Sequence, residues 1–390
     1  MPQRKKAEKA RTVNRFKTQY SGSAAILVAA GLCLVFAAGA GVVQDESYTV
    51  LELPPGDGNP RNSEGDFIQL NDGRILFVYT HFTGSGSDFG AAHLASRVSE
   101  DGGATWSSED VVVVPNDAGM NVMSVSLLRL ADGRIALLYL RKNSKGDCRP
   151  LIRFSSDEAQ SWSDPVSIID TMGYFVVNND RLLQLQNGRL VVPAARHSLP
   201  GAEFQSRGSA LCYLSDDSGQ TWRASETVLE APEGSRSGLQ EPLVVELQDG
   251  SLRMLCRTDQ GCQMESFSAD GGNTWSPVAT TDIISPVSPA TVERVPGQDA
   301  LLLVWNDHRG IAPELAGKRT PLVAAISRDD GATWENRTVL EDLPTGWYCY
   351  TAMFFSGDYV FLGYCAGDTS VEGGLDRARI VRIPIKRLIP

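Results

Sequence analysis

The chain has 390 residues, 42% of them hydrophobic and 21% charged, with 37 glycines and a formal net charge of −11. That length and apolar content suit one large all-β domain with a full core rather than several small ones. The acidic balance argues against nucleic acid as a partner, so an anionic ligand would have to be attracted by a local basic pocket.

The first 20 residues carry seven Lys or Arg against one acid, and residues 21–43, SGSAAILVAAGLCLVFAAGAGVV, carry no charge. A basic stretch ahead of an apolar one is an export signal, with Ala38-Gly39-Ala40 as an A-x-A cleavage site. The same stretch is long enough to stay as an uncleaved membrane anchor. Residues 1–43 are therefore set apart as signal peptide or anchor, and 44–390 as the folded domain. Cleavage after Ala40 would remove seven basic residues and one acidic residue, taking the net charge from −11 to −17. The expected location is secreted, periplasmic or at the cell surface, with membrane contact only through this segment if it is retained.

An isolated strand, YTVLEL at 48–53, comes next, and then a repeated unit of two β-rich runs around a Gly-bearing turn: FIQLNDGRILFVY at 67–79, LLRLADGRIALLY at 127–139, LLQLQNGRLVVP at 182–193 and VVELQDGSLRMLC at 244–256. Weaker copies, TVERVPGQDALLLVW at 291–305 and MFFSGDYVFLGY at 353–364, bring the count to six. Apolar runs flanking D-G or N-G form β-hairpins. Between the hairpins stand five octets of the form S-x-D-x-G-x-T-W: SEDGGATW at 99–106, SSDEAQSW at 155–162, SDDSGQTW at 215–222, SADGGNTW at 268–275 and SRDDGATW at 327–334. In the second, Ala159 replaces Gly and Ser161 replaces Thr. Asp and Gly suit a tight turn and the Trp ring fills a gap between units, so these boxes are scaffold.

A 50–60-residue period with two hairpins per unit is the mark of four-stranded propeller blades. The expectation is an all-β, six-bladed β-propeller with Asp-box repeats. Strand 48–53 would complete the last blade, which has no box, and close the ring so that no sheet edge is left open. Six cysteines follow Cys33, namely Cys148, Cys212, Cys256, Cys262, Cys349 and Cys365, an even count that suits either disulfides or buried free thiols. No H-E-x-x-H, C-x-x-C or acidic calcium loop occurs, so neither a metal nor another cofactor is expected.

If both kinds of repeated turn lie on one face, chemistry belongs to the opposite one. There Glu241 faces Arg257 across the fourth hairpin, and Tyr350 faces Tyr364 across the sixth. Arg61 precedes the first strand of the first blade, Arg319 opens a strand in the fifth, and Asp88 sits in the loop HFTGSGSDFG. Asn179-Asp180-Arg181 begins the third hairpin, and Arg196-His197 and Asp307-His308 end second strands on this face. Asp180 and Arg181 are expected to line the substrate pocket, the two histidines are expected to be structural, and Tyr348 is a rival to Tyr350.

Over about residues 48–388 the chain resembles the exo-sialidases, the Asp-box propeller glycosidases. The resemblance implies that Arg61, Arg257 and Arg319 bind a substrate carboxylate, that Asp88 is the general acid/base, and that Tyr350 paired with Glu241 is the nucleophile. It implies a retaining hydrolase releasing terminal sialic acid, or a related 2-keto sugar acid, from glycoconjugates. A glycosidase for another acidic sugar and a non-catalytic sugar-binding propeller are the alternatives. A tyrosine suits a sugar whose anomeric carbon bears a carboxylate, because an Asp or Glu nucleophile would be repelled. Two departures stand out: Arg61-Asn62-Ser63-Glu64-Gly65-Asp66 replaces the family's R-I-P, and Tyr364-Cys365 replaces its Tyr-Glu. The second removes the carboxylate that would steady the first arginine, leaving Glu64 or Asp66 as a substitute.

Overall fold

The computed structural model describes residues 48–202 and 204–389. The basic and apolar segments expected at 1–43, the cleavage site and Cys33 lie outside the described residues. Among the described residues no helix is long and apolar enough to cross a membrane.

The expected strand at 48–53 is β1 (Thr49–Leu53). A four-stranded sheet follows, β2 (Arg61–Gln69), β3 (Ile75–Phe82), β4 (Ala92–Ser99) and β5 (Val111–Val114). The next sheet has nine strands: β6 (Asn121–Arg129), β7 (Ile135–Ser144), β8 (Asp147–Ser155), β9 (Val166–Ser167), β10 (Tyr174–Val176), β11 (Leu183–Gln184), β12 (Leu190–Ser198), β13 (Ser209–Ser215) and β14 (Arg223–Ala224). Two antiparallel groups are joined there by one parallel pairing, Tyr174 with Cys148. Two more four-stranded sheets are β15 (Gln240–Glu246) to β16 (Leu252–Arg257), β17 (Cys262–Ser268) and β18 (Ala279–Ile284), and β19 (Thr291–Arg294) to β20 (Leu301–Asn306), β21 (Leu322–Ser327) and β22 (Glu335–Glu341). The last sheet contains β23 (Gly346–Ser356), β24 (Tyr359–Asp368) and β25 (Ala378–Pro384), and β1 pairs antiparallel with β25 as its outer strand. The two ends of the described chain thus share one sheet, as the isolated strand led us to expect.

The hairpin turns form where D-G or N-G predicts them. At the first, Gly73 donates to the Leu70 carbonyl at 2.9 Å with φ +91°, a conformation a side chain would strain. The boxes close on themselves. In the first, Ser99 Oγ donates to Asp101 Oδ1 at 2.9 Å and accepts from Gly103 N at 2.8 Å, while the Asp101 oxygens accept from Thr105 N and Oγ1 at 2.8 and 2.7 Å. The Ser-Asp and Asp-Thr or Asp-Ser bonds recur in the other four. Trp106, Trp162, Trp222, Trp275 and Trp334 each pack into a different apolar cluster. Every such cluster joins residues of neighbouring strand groups, so burial of apolar surface between them is the main cohesive force.

At the other end of the first strands the ladder breaks. Register shifts lie between Ser63 and Asp66, Met123 and Ser126, Gln240 and Leu243, and Cys349 and Ala352. Inside these breaks Glu64, Ser124, Glu241 and Tyr350 have φ of +50°, +58°, +46° and +58°, and Asp180 beside β11 has +57°. A bulge with a residue in the left-handed region re-aims its side chain. Non-glycine residues adopt that region at a cost of about 1–3 kcal/mol each, which is tolerated where surrounding structure enforces it. The bulges correct two expected pairings: Arg257 stands opposite Gln240 instead of Glu241, and Cys349 opposite Cys365, so Tyr350 has no partner in Tyr364.

The six described cysteines are buried free thiols, which decides between the two alternatives left open.

Candidate active site

The bulges deliver a cavity of about 340 Å³ lined by Glu64, Asp88, Lys142, Glu241, Arg257, Arg319 and Tyr350 among others. Its centre is a hydrogen bond from Tyr350 Oη to Glu241 Oε1 at 3.1 Å. Glu241 also accepts from Arg257 Nη1 through both oxygens at 2.7 Å. The arginine is thus near the acid as expected, but through the bulge rather than a ladder pair. Burial alone would raise the Glu241 pKa, yet Arg257 and Arg319 together with the hydrogen bonds hold it below the usual carboxylate range. Burial and the Glu241 anion push the Tyr350 phenol well above its ordinary value, against the pull of Arg319 and Arg257. In this arrangement the carboxylate stands where it can accept the phenol's proton.

Arg319 is buried, and its guanidinium lies 5.2 Å from the Tyr350 ring centroid. Its Nε and Nη1, with Nε of Arg257, have no hydrogen-bond acceptor among the described residues. Such buried donors each cost about 1–3 kcal/mol unless a partner satisfies them. A carboxylate is the partner that matches an arginine fork.

Arg61 reaches the site indirectly. It is 1% exposed and does not itself line the cavity; its Nη1 meets Asp88 Oδ1 at 2.5 Å, and Nη2 meets Glu64 Oε1 at 3.5 Å. Glu64, not Asp66, therefore takes the position opposite Arg61, for Asp66 accepts from the Phe67 and Leu127 backbone instead. The Glu64 pKa is raised, burial outweighing Arg61 and the 2.9 Å bond from Ser124 Oγ. Burial acts to raise Asp88 as well, but Arg61 and its hydrogen bond leave that carboxyl below the ordinary range, although its side chain is 56% exposed.

Asp180 and Arg181, expected at the substrate, line a different cavity with Glu293 and Arg294. Asp180 Oδ2 accepts from Met353 N at 2.9 Å, and Arg181 Nη2 donates to the Ala290 carbonyl at 3.0 Å. Asn179 Nδ2 donates to the Gly65 and Tyr350 carbonyls at 2.9 Å each. This tripeptide ties first strands of different sheets together, a task for which buried, hydrogen-bonded polar groups are suited. Tyr348 is buried edge-on against Tyr364 and away from Glu241, so it is no rival to Tyr350. His308 bonds the Lys318 carbonyl at 2.9 Å, whereas His197 lines the active cavity.

Sequence reasoning missed Lys142, Tyr174, Asn178, Phe89 and Phe204, all lining the same cavity. Lys142 had a usable signal, since it closes a second strand as Arg257 does. Tyr174 had none, because the three-residue strand that presents it carries no repeat motif.

Known proteins resemble this chain in sequence and in fold. A model of the BNR repeat-like domain matches residues 77–362. A curated sialidase of Micromonospora viridifaciens is 25% identical over 328 residues, covering 74% of this chain and 46% of that protein. An anhydrosialidase of Macrobdella decora is 33% identical over 149 residues, 36% of this chain and 18% of that one. The chain thus spans less than half the length of either. The solved structure of a Hadza microbial sialidase superposes with a TM-score of 0.68 at 18% identity, covering 85% of this chain and 67% of its own.

Proposed function

Since the chain belongs to the BNR repeat-like domain family, we propose that it is a retaining exo-sialidase-like glycosidase built on a six-bladed propeller and exported from the cell. The observation that carries this reading is the Tyr350–Glu241 bond beside two arginines with unsatisfied buried donors. Its substrates are terminal sialic acid, or a related 2-keto sugar acid, on glycans.

The substrate carboxylate docks on Arg319 and Arg257 and competes with Asp88 for Arg61. Losing that cation raises the Asp88 pKa, so the acid becomes protonated as substrate binds. Asp88 gives its proton to the glycosidic oxygen, which leaves with the C–O bonding pair. Tyr350 oxygen bonds to the anomeric carbon while its proton passes to Glu241. Asp88, now a carboxylate, takes a proton from water, whose oxygen bonds to the anomeric carbon as the bond to Tyr350 breaks; the phenol oxygen leaves with the bonding pair and recovers its proton from Glu241, and the original configuration is regained.

The test is release of a fluorogenic aglycone from an α-sialoside beside the same assay with a uronide. Sialoside turnover, with label on Tyr350 after trapping by a fluorinated sugar acid, is expected. Turnover of the uronide alone would assign another acidic sugar, and binding without turnover would make the protein a lectin.

A further inference from the structure

The loop that carries Asp88 is held at two different places by two different kinds of bond. Arg61 Nη1 holds its carboxylate at 2.5 Å and also reaches the Gly86 carbonyl at 3.3 Å. Its main chain is held from the neighbouring sheet: Lys142 Nζ donates to the Asp88 carbonyl at 2.7 Å, and Asn121 Nδ2 donates to the same carbonyl at 3.0 Å and to Gly90 O at 2.8 Å. Lys142 and Asn121 are both buried, and they are cross-strand neighbours on β7 and β6. The lysine forms no ion pair among the described residues. Its ammonium lies 5.2 and 5.7 Å from the ring centroids of Phe89 and Tyr174 and 3.3 Å from Met123 Sδ. A buried cation is costly to keep, and spending it on a backbone carbonyl calls for an explanation.

We infer that Lys142 is a positioning residue for the general acid, fixing the Asp88 main chain so that its carboxyl can leave Arg61 without the loop leaving the site. This rests on the glycosidase reading above and deepens it. A substrate carboxylate that takes over Arg61 removes the loop's only side-chain anchor to that arginine. The carbonyl anchors survive that exchange, since neither Lys142 nor Asn121 hydrogen-bonds the Asp88 carboxylate, although the Lys142 ammonium also attracts it through space. The acid then swings about a fixed backbone over the distance between Arg61 and the leaving oxygen. Proton transfer needs its partners within about 2.6–3.2 Å, a tolerance that a mobile loop would not meet.

Leaving-group chemistry separates positioning of an acid from general structural support. An aryl aglycone of low pKa departs with little protonation, whereas a sugar hydroxyl needs the proton. Lys142→Met keeps the length and apolar stem and removes the donor. General acids contribute about 10²–10⁴-fold, so kcat/KM for a sialyl-sugar is expected to fall by at least about tenfold in Lys142→Met. For the activated aryl sialoside the fall is expected to stay within about threefold, and Lys142→Gln, which retains a donor, should recover part of the sialyl-sugar rate. Thermal melting of both variants reports whether they fold. Equal losses on both substrates, or no loss on either, would overturn the assignment. If folded Lys142→Met fails and Lys142→Gln shows the same equal losses, the role is merely structural. Failure of the wild-type protein to cleave either sialoside would instead overturn the glycosidase reading, and this inference with it.

Discussion

The two ends of the blades use opposite strategies. At the box end, five octets make the same Ser-Asp and Asp-Thr or Asp-Ser bonds within eight residues, so each turn satisfies itself. At the bulge end, five residues share a left-handed backbone, and apart from the Arg61–Glu64 contact the side-chain bonds that place them reach far along the chain. Glu64 meets Ser124 from the next sheet, Tyr350 meets Glu241 across a separation of 109 residues, and Asp180 meets Met353. One repeat conserves side chains to make a turn, and the other keeps a backbone shape so that side chains can differ. The proposed chemistry belongs to the second because a strained, re-aimed position accepts any side chain the neighbours can support.

The sharpest way to break this contrast is Tyr350→Phe. It removes one oxygen from a left-handed position while keeping the ring under Arg319, so sialoside turnover should fall by about 10³-fold or more while the melting temperature barely moves. Steady-state kinetics with differential scanning calorimetry checks both halves, and an active Tyr350→Phe enzyme would remove chemistry from that bulge.

The box end should instead fail through stability, and with pH. Hydrogen bonds from Thr105, Thr221 and Thr333 hold Asp101, Asp217 and Asp329 at about 2, and the bond from Ser161 does the same for Asp157, against 3.8 for the free side chain. A carboxyl depressed on folding contributes stability that is complete above its unfolded pKa and disappears as pH falls through the folded one. Melting temperature should therefore be flat near neutrality and fall between about pH 4 and 2. A flat profile to pH 2 would show that these turns contribute little.

Removing one such acid gives a smaller effect. Asp217→Ala leaves Thr221 and Gln220 N–H groups without their acceptor, a lost cap that should cost about 1 kcal/mol in denaturant unfolding. Turnover per folded molecule should not change, since the box is remote from the cavity lining.

The smallest effect is expected at the imperfect box, where Ala159 sits at φ +62° while the matching glycines, Gly103, Gly219, Gly272 and Gly331, lie at +80° to +89°. Ala159→Gly relieves a left-handed strain of about 1–2 kcal/mol, partly offset by the greater freedom of glycine in the unfolded chain. A net gain below about 1 kcal/mol should appear in the unfolding midpoint. No gain would mean that Glu158, whose carboxylate ties Arg129 at 2.8 Å and the Asn71 backbone at 2.7 Å, already offsets the strain.

The amino-acid sequence by itself determined the turns, the hairpins, the pairing of strand 48–53 with the chain's last strand, and the residue types of the proposed reacting pair. All of these rest on short-range signals: a D-G turn, a box within eight residues, an alternation of apolar positions. Tertiary structure decided which side chains meet. Folding the fourth and sixth hairpins evenly put Glu241 opposite Arg257 and Tyr350 opposite Tyr364, but one left-handed residue in each strand shifts the ladder, and bonds to other sheets hold such a residue in place. Contacts between sheets likewise set Asp180 and Arg181 to bracing first strands and brought Lys142 to the Asp88 loop. These outcomes depend on contacts between groups dozens to hundreds of residues apart, and no local pattern encodes such a contact.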